Sequence, residues 1–198
     1  ILKGFDIKVT SLYPALVSLK TSLNKSLAGI SLNNVELKAK YNKKEYITKG
    51  AMLFTHTGIS GPAVLDLSSY ISSFNVDDLN LYIDFLPEMS LTEITELILD
   101  KSQKNLHNRF KGYLPMELIK TILPDLDAIK IKKKKKSELN NLVEIIKIYN
   151  LKLLGFGKIS EGIITKGGID LKGVNSSTLE SKLIKGLYFA GEVLDLDA

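Results

Sequence analysis

The stretch Ile30-Ser31-Leu32-Asn33-Asn34-Val35-Glu36-Leu37-Lys38-Ala39-Lys40-Tyr41 decides the fold. Its apolar residues Ile30, Leu32, Val35, Leu37 and Ala39 fall largely on one parity, the mark of a strand with one buried face. Asn33-Asn34 is where the parity slips, so a turn or bulge is expected there. Asn42-Lys43-Lys44 then reads as a hairpin loop, and Glu45 to Thr57 as a second long extended run. Upstream, Asp6 to Thr10 alternates in the same way, and Ala15 to Lys20 does so again after Pro14. Sequential strands with short polar loops predict a small antiparallel barrel or sandwich.

The pattern changes twice along the chain. Ser60-Gly61-Pro62 opens a short helix running to Ile71, and Leu79 to Phe85 alternates strictly as a strand. Ser90-Leu91-Thr92-Glu93 is a capping box, with Leu91, Ile94, Leu97 and Ile98 following at helical spacing. A second helix is predicted from about Pro115 and a third from Ser137. After Asn150 the extended character returns in Leu151 to Phe156 and in Glu161 to Thr165. Leu187 to Ala190 reads as a short apolar strand ending at Gly191-Glu192. The fold class expected is α+β, a small mixed or antiparallel β-barrel with an inserted helical subdomain.

Composition narrows the function. With 198 residues, 44% apolar and 25% charged, the chain is an ordinary globular protein of one large domain or two small ones. The absence of cysteine excludes thiolate chemistry, iron–sulfur ligation and zinc fingers, and no metal site is expected. No window is apolar enough for a membrane span and no signal peptide is evident, so a cytoplasmic protein without membrane partners is expected. Net charge is +5, but Lys130 and Lys132 to Lys136 carry six charges, which leaves the rest at −1. The run Lys130 to Lys136 reads as a solvated loop. It contains no aromatic residue to stack on bases, which argues against nucleic acid as a partner. A nucleic-acid-binding module built from a small barrel and a basic helical insert stands as the alternative function. His56 reads as a hydrogen-bonded structural residue at a domain junction, and His107 as a polar residue of the helical insert. Asp125 and Asp127 beside Pro124 suit a solvated turn better than a metal pair.

Three motifs are more specific. They are Leu12-Tyr13-Pro14-Ala15-Leu16-Val17 with Leu27-Ala28-Gly29-Ile30-Ser31-Leu32; Met52-Leu53-Phe54-Thr55-His56-Thr57-Gly58-Ile59-Ser60-Gly61-Pro62; and Thr165-Lys166-Gly167-Gly168-Ile169-Asp170-Leu171 continuing to Gly191-Glu192-Val193-Leu194-Asp195. In this order they resemble the BaiN-like (YhiN-type) bacterial flavoproteins, NAD(P)/FAD-dependent oxidoreductases that include aminoacetone-oxidase-like members. The resemblance covers the chain except residues 100–150, where only helical character matches. Such proteins carry a Gly-rich pyrophosphate turn and a later Thr-Gly-Gly-Tyr-Asn stretch, and neither occurs here. The resemblance therefore implies the insert region of such an enzyme, a translation-factor-like barrel plus a helical subdomain. In that reading residues 1–88 and 150–185 are the barrel, 89–149 the helical subdomain, and 186–198 the returning edge of the FAD-binding domain.

Read alone, Thr165-Lys166-Gly167-Gly168 is a tight turn with positive-φ glycines. Glu192 is a carboxylate at a strand's end, where α/β sheets bind cofactors, and Gly191 lets a ligand approach the backbone. The resemblance implies that Gly167 and Gly168 give room to the flavin ring, that Thr165 lends a hydroxyl or amide, and that Glu192 accepts a ribityl hydroxyl of FAD. It implies further partners: the FAD-binding domain of the same polypeptide, a small-molecule substrate and NAD(P)H. The expected role is to cover the flavin and shape the substrate pocket. The chain alone is expected to be inactive and not to retain FAD, and no catalytic acid or base can be assigned.

Overall fold

A computed structural model describes residues 2–22, 25–100, 106–123 and 136–196. In chain order the strands and helices are β1 (Tyr13–Ala15), β2 (Leu19–Thr21), β3 (Ser31–Tyr41), β4 (Lys44–Phe54), β5 (Gly58–Ser60), α1 (Pro62–Ile71), β6 (Leu79–Asp84), α2 (Leu91–Leu99), α3 (Leu106–Arg109), α4 (Met116–Ile122), α5 (Lys136–Lys147), β7 (Tyr149–Leu151), β8 (Leu153–Phe156) and β9 (Ile164–Lys166). Seven strands form one sheet in the order β7-β6-β3-β4-β5-β2-β8, every ladder antiparallel. Its two edges, β7 and β8, are separated in sequence by Lys152 alone, so the sheet curls back on itself as a barrel. The α+β barrel with helices is the class expected from the sequence.

The hairpin that decides the fold pairs Tyr41 with Lys44, which makes the loop Asn42-Lys43. Asn42 takes φ +55, a left-handed conformation that asparagine tolerates. The register shifts between Leu32 and Val35, where Asn33 and Asn34 stand off the ladder as a bulge. Inward positions of β3, β4 and β6 (Val35, Leu37, Ala39, Met52, Phe54, Leu81 and Ile83) are buried, and α1 presses Ala63, Val64, Leu67 and Ile71 onto them. Ser68 on that buried face is satisfied by accepting from the Val17 amide at 2.9 Å and donating to the Leu65 carbonyl at 2.7 Å.

The helices pack on the same core through Ile94, Ile98, Leu118, Ile119, Val143 and Ile146. The capping box forms as read: the Glu93 amide donates to Ser90 Oγ and the Ser90 amide to Glu93 Oε2. α5 is fastened to β6 by Lys147, whose ammonium meets Asp84 at 2.5 Å and donates to the Leu86 and Met89 carbonyls at 3.0 and 2.9 Å. Burial nonetheless pushes the Asp84 carboxyl above its ordinary value, against the opposing pull of Lys147.

Several sequence expectations change. The described residues of the helical stretch hold four helices, one more than expected: the short α3 follows α2, and the Arg109 guanidinium donates to the Ile98 carbonyl of α2. Asp6–Thr10 is no strand; its sheet pairing is the single bridge Val9–Ile169. Ala15 to Lys20 is split, because Leu16 takes φ +49 and turns the chain between β1 and β2. The run from Glu45 breaks at Thr55–Thr57, where a tight turn returns β5 onto β4. Lys130, Lys132 to Lys135, Asp125 and Asp127 lie outside the described residues. No helix among the described residues is long and apolar enough to cross a membrane.

Candidate functional site

β1 and β9 make a separate two-stranded ladder, pairing Tyr13 with Lys166, Pro14 with Thr165 and Ala15 with Ile164. Beyond Lys166 the chain threads between two other backbone segments. On one side the Thr10 amide donates to the Gly168 carbonyl at 2.8 Å and the Gly168 amide to Thr10 Oγ1 at 3.0 Å. On the other, the Ile169 amide donates to the Val193 carbonyl at 2.8 Å and the Asp195 amide to the Ile169 carbonyl at 3.0 Å. The squeeze explains the glycine pair. A Cβ at Gly167, where φ is +89, would stand 2.2 Å from the Ser11 carbonyl oxygen; one at Gly168 would stand 2.5 Å from that of Val193. Both glycines answer first to the chain's own backbone. Asp170 fixes the next residues: its carboxyl accepts from the Lys172 amide at 3.0 Å and meets Lys8 at 3.0 Å. These contacts hold that carboxyl below its ordinary range.

Leu187–Ala190 does not form the expected strand. Its sheet pairing is the single bridge Glu180–Tyr188, since no described strand runs beside it to supply a ladder. Glu192 accordingly sits on a short 3₁₀ turn, Gly191–Val193, and is exposed. The turn still brings Glu192 to Thr165. With Lys166, Ser69, Tyr70 and Leu196 they line a cavity of about 160 Å³. Gly167, Gly168 and Gly191 are not part of its lining; Gly191, at φ +73, faces open space.

Tyr70 and Lys166 were not singled out from the sequence. Lys166 reaches the Ser69 carbonyl at 3.5 Å. Tyr70 stacks on Tyr46 (centroids 6.1 Å apart), Tyr46 tilts against Phe74 (5.7 Å), and Phe74 lies flat on Tyr41 at 4.2 Å. This aromatic row holds the half-exposed Tyr70 ring at the cavity. Its only signal in the sequence was a tyrosine in the last turn of α1. A carboxylate, an ammonium, a hydroxyl and a ring suit a ligand carrying hydroxyls and a planar group.

His56 stands exposed in the turn between β4 and β5, which closes through Thr55 and Gly58. His107 is a buried residue of α3. No three His, Asp or Glu side chains converge as metal ligands among the described residues.

Two further surfaces stand out. The outward face of β3, β4 and β6 carries Lys38, Lys40 and Lys49, with Lys40 Nζ 5.8 Å above the centre of the Tyr82 ring. Glu45 and Glu36 pair with these lysines at 2.8–3.5 Å. The other is a cleft of about 590 Å³ where the Asn33-Asn34 bulge faces the loop before α4.

An antiparallel barrel with inserted helices defines the class. The family described as "HI0933-like protein barrel and H2TH domain" matches residues 13–164, and this chain belongs to it. It is 34% identical to a ribosomal RNA dihydrouridine synthase of Haemophilus influenzae over 86% of this chain and 41% of that protein. It is 30% identical to a protein of the same name from Escherichia coli over 73% of this chain and 36% of that one. It is 28% identical to a 3-dehydro-bile acid delta(4,6)-reductase of Clostridium scindens over 75% of this chain and 38% of that one. The chain spans about two fifths of the length of the curated relatives it matches. The resemblance read from the motifs holds at the level of the family, and these relatives bear the names of reductive enzymes.

Proposed function

We propose that this chain is the barrel-and-helix portion of an FAD-dependent oxidoreductase that reduces a uridine in RNA. The observation carrying the RNA substrate is the pair of relatives named for dihydrouridine synthesis, matched at 34% and 30% identity. The sheet face adds physical support. The sequence argument against nucleic acid rested on lysines without aromatic neighbours, and folding places Lys38 and Lys40 beside Tyr82.

The donors and acceptors at the Thr165–Glu192 cavity fit one side of a flavin. Glu192 offers an exposed carboxylate to a ribityl hydroxyl, and Thr165 a hydroxyl in the middle of β9. At about 160 Å³ the cavity is well below the ~300–1,000 Å³ of a complete small-molecule pocket, so these residues form one wall and another domain supplies the rest. The cofactor, bound and first reduced by NAD(P)H, would supply the hydride that saturates the uracil C5=C6 bond, with a proton from solvent completing the addition at the other carbon. Thr165 and Glu192 orient, the Tyr70 ring excludes water from the cavity mouth, and the Gly167-Gly168 turn keeps β9 at a fixed distance from residues 8–11. Residues 186–198 belong in this reading to the edge of the FAD-binding domain of the same polypeptide. Membership of the BaiN-like branch would instead make the substrate a small unsaturated ketone.

The test uses the full-length protein. Its gene is deleted and dihydrouridine in ribosomal RNA is mapped by reduction-sensitive sequencing. The expected result is loss of one or more dihydrouridines, restored by the wild-type gene and restored poorly by Glu192→Gln, whose purified product carries less flavin. Unchanged ribosomal RNA, or a protein that purifies without flavin absorbance, overturns the proposal.

A further inference from the structure

The cleft of about 590 Å³ shares no residue with the Thr165–Glu192 cavity. We infer that it is a pocket for one unpaired base of RNA, a base carrying an exocyclic amino group and lying near the uridine to be reduced. The inference rests on the RNA reading above and extends it to a second contact.

Three features of the cleft carry it. Its floor is apolar, made by Phe85 and Leu114, both buried, and its volume falls in the usual ~300–1,000 Å³ range of ligand pockets. One wall is the bulge: Asn33 and Asn34 are off the β3–β4 ladder and exposed, so their side-chain amides face the cleft and not a neighbouring strand. Asn34 Nδ2 donates to Glu88 Oε1 at 2.9 Å, which fixes the carboxylate and leaves its second oxygen to accept. The opposite wall is Tyr113. Gly112 turns the chain there at φ +93, and the Tyr113 ring stands 52% exposed at the mouth with no described aromatic stacked on it.

A half-exposed ring beside amide groups and an oriented carboxylate is the chemistry that holds a splayed base, by stacking and by its polar edge. The carboxylate sets the preference. It accepts from the amino group of cytosine or adenine, while Asn33 donates to the adjacent ring nitrogen. Uracil in the same pose would set its O4 against the Glu88 carboxylate and its N3–H against the Asn33 donor, so both contacts would be lost. The cleft therefore takes a neighbour of the target uridine and not the uridine itself.

The experiment measures fluorescence anisotropy of the 198-residue chain with 5′-labelled RNA octamers of uridine, the central position being either uridine or cytidine, at low salt. The cytidine octamer is expected to bind about tenfold more tightly than all-uridine. Tyr113→Ala should weaken binding of both about tenfold and Tyr113→Phe should not, since stacking needs the ring and not the hydroxyl. Glu88→Gln should abolish the preference for cytidine. Thermal melts confirm that each variant is folded, as expected for exposed positions. RNA bound equally by all variants and without preference for cytidine overturns the cleft and leaves the RNA reading standing. Failure of the wild-type chain to bind either octamer counts against both.

Discussion

Residues 13–164 and residues 169–194 bury their apolar side chains by different means. In the first region a continuous core runs from Leu19 through α1 and the helices to Leu153, beneath an antiparallel sheet of seven strands. In the second, Ile169, Val174, Phe189 and Leu194 make a small cluster with Ile7 and Leu187 at its margin, and strand pairing is reduced to isolated bridges. Ile163, Leu183, Tyr188 and Leu196 around it are each at least 60% exposed. Barrel and helices thus complete their own core. The flank gets its shape from backbone ties within itself and two to Lys8 and Thr10, and keeps apolar surface outside, as the proposed contact with a cofactor domain requires.

The contrast can be broken most sharply by truncation. Leu67→Ala on the buried face of α1 should cost about 2–5 kcal/mol in a denaturant melt. Phe189→Ala should leave the global midpoint within about 0.5 kcal/mol, while hydrogen exchange at Ile169 and Leu194 accelerates, because the flank opens by itself. Equal global losses for the two would show one cooperative unit.

A smaller effect probes the tie between sheet and helices. Lys147→Met strands the poorly exposed Asp84 carboxylate and should cost about 1–3 kcal/mol at neutral pH, with Asp84→Asn in the same chain recovering part of it. The Asp84 pKa is raised by burial, so its ionisation opposes folding. The lesion should therefore shrink as pH falls through that pKa, and a lesion growing toward acid pH would contradict the assignment.

Within the flank, Gly167→Ala places a methyl against the Ser11 carbonyl in a backbone conformation alanine resists. A strain of about 1–3 kcal/mol should appear as faster proteolysis of residues 165–196, with the barrel melt unchanged. The smallest expected effect is at Glu93. Its backbone and side-chain hydrogen bonds with Ser90 hold the carboxyl below the usual value, so the stabilisation is full above the ordinary glutamate pKa and fades as pH falls. The stability gap between wild type and Glu93→Gln should close between about pH 6 and pH 3; a constant gap would remove the capping box as its cause.

Much of the barrel was readable because its elements are local patterns. The parity of Ile30 to Ala39, the slip at Asn33-Asn34 and the Ser90–Glu93 capping box each need only a few neighbouring residues. Leu187–Ala190 failed as a strand because a strand is a relation between segments, and four apolar residues do not say whether a partner lies beside them. Thr165 and Glu192 were legible as a pair through motif resemblance. Tyr70 and Lys166 were not, since their approach depends on how α1 crosses β1 and β9.

The sequence by itself determined the α+β class, the main hairpin with its bulge, the helix starts at Pro62, Ser90 and Pro115, and the need for glycine at 167 and 168. Each follows from side-chain period, capping or backbone freedom over a handful of residues. Only the tertiary structure decided that Thr165 and Glu192 share a cavity, that Tyr113 faces the bulge, and that Lys40 lies over Tyr82. Those contacts join segments from 27 to 79 residues apart, and their geometry is set by how a curled sheet packs on its helices, which no local pattern encodes.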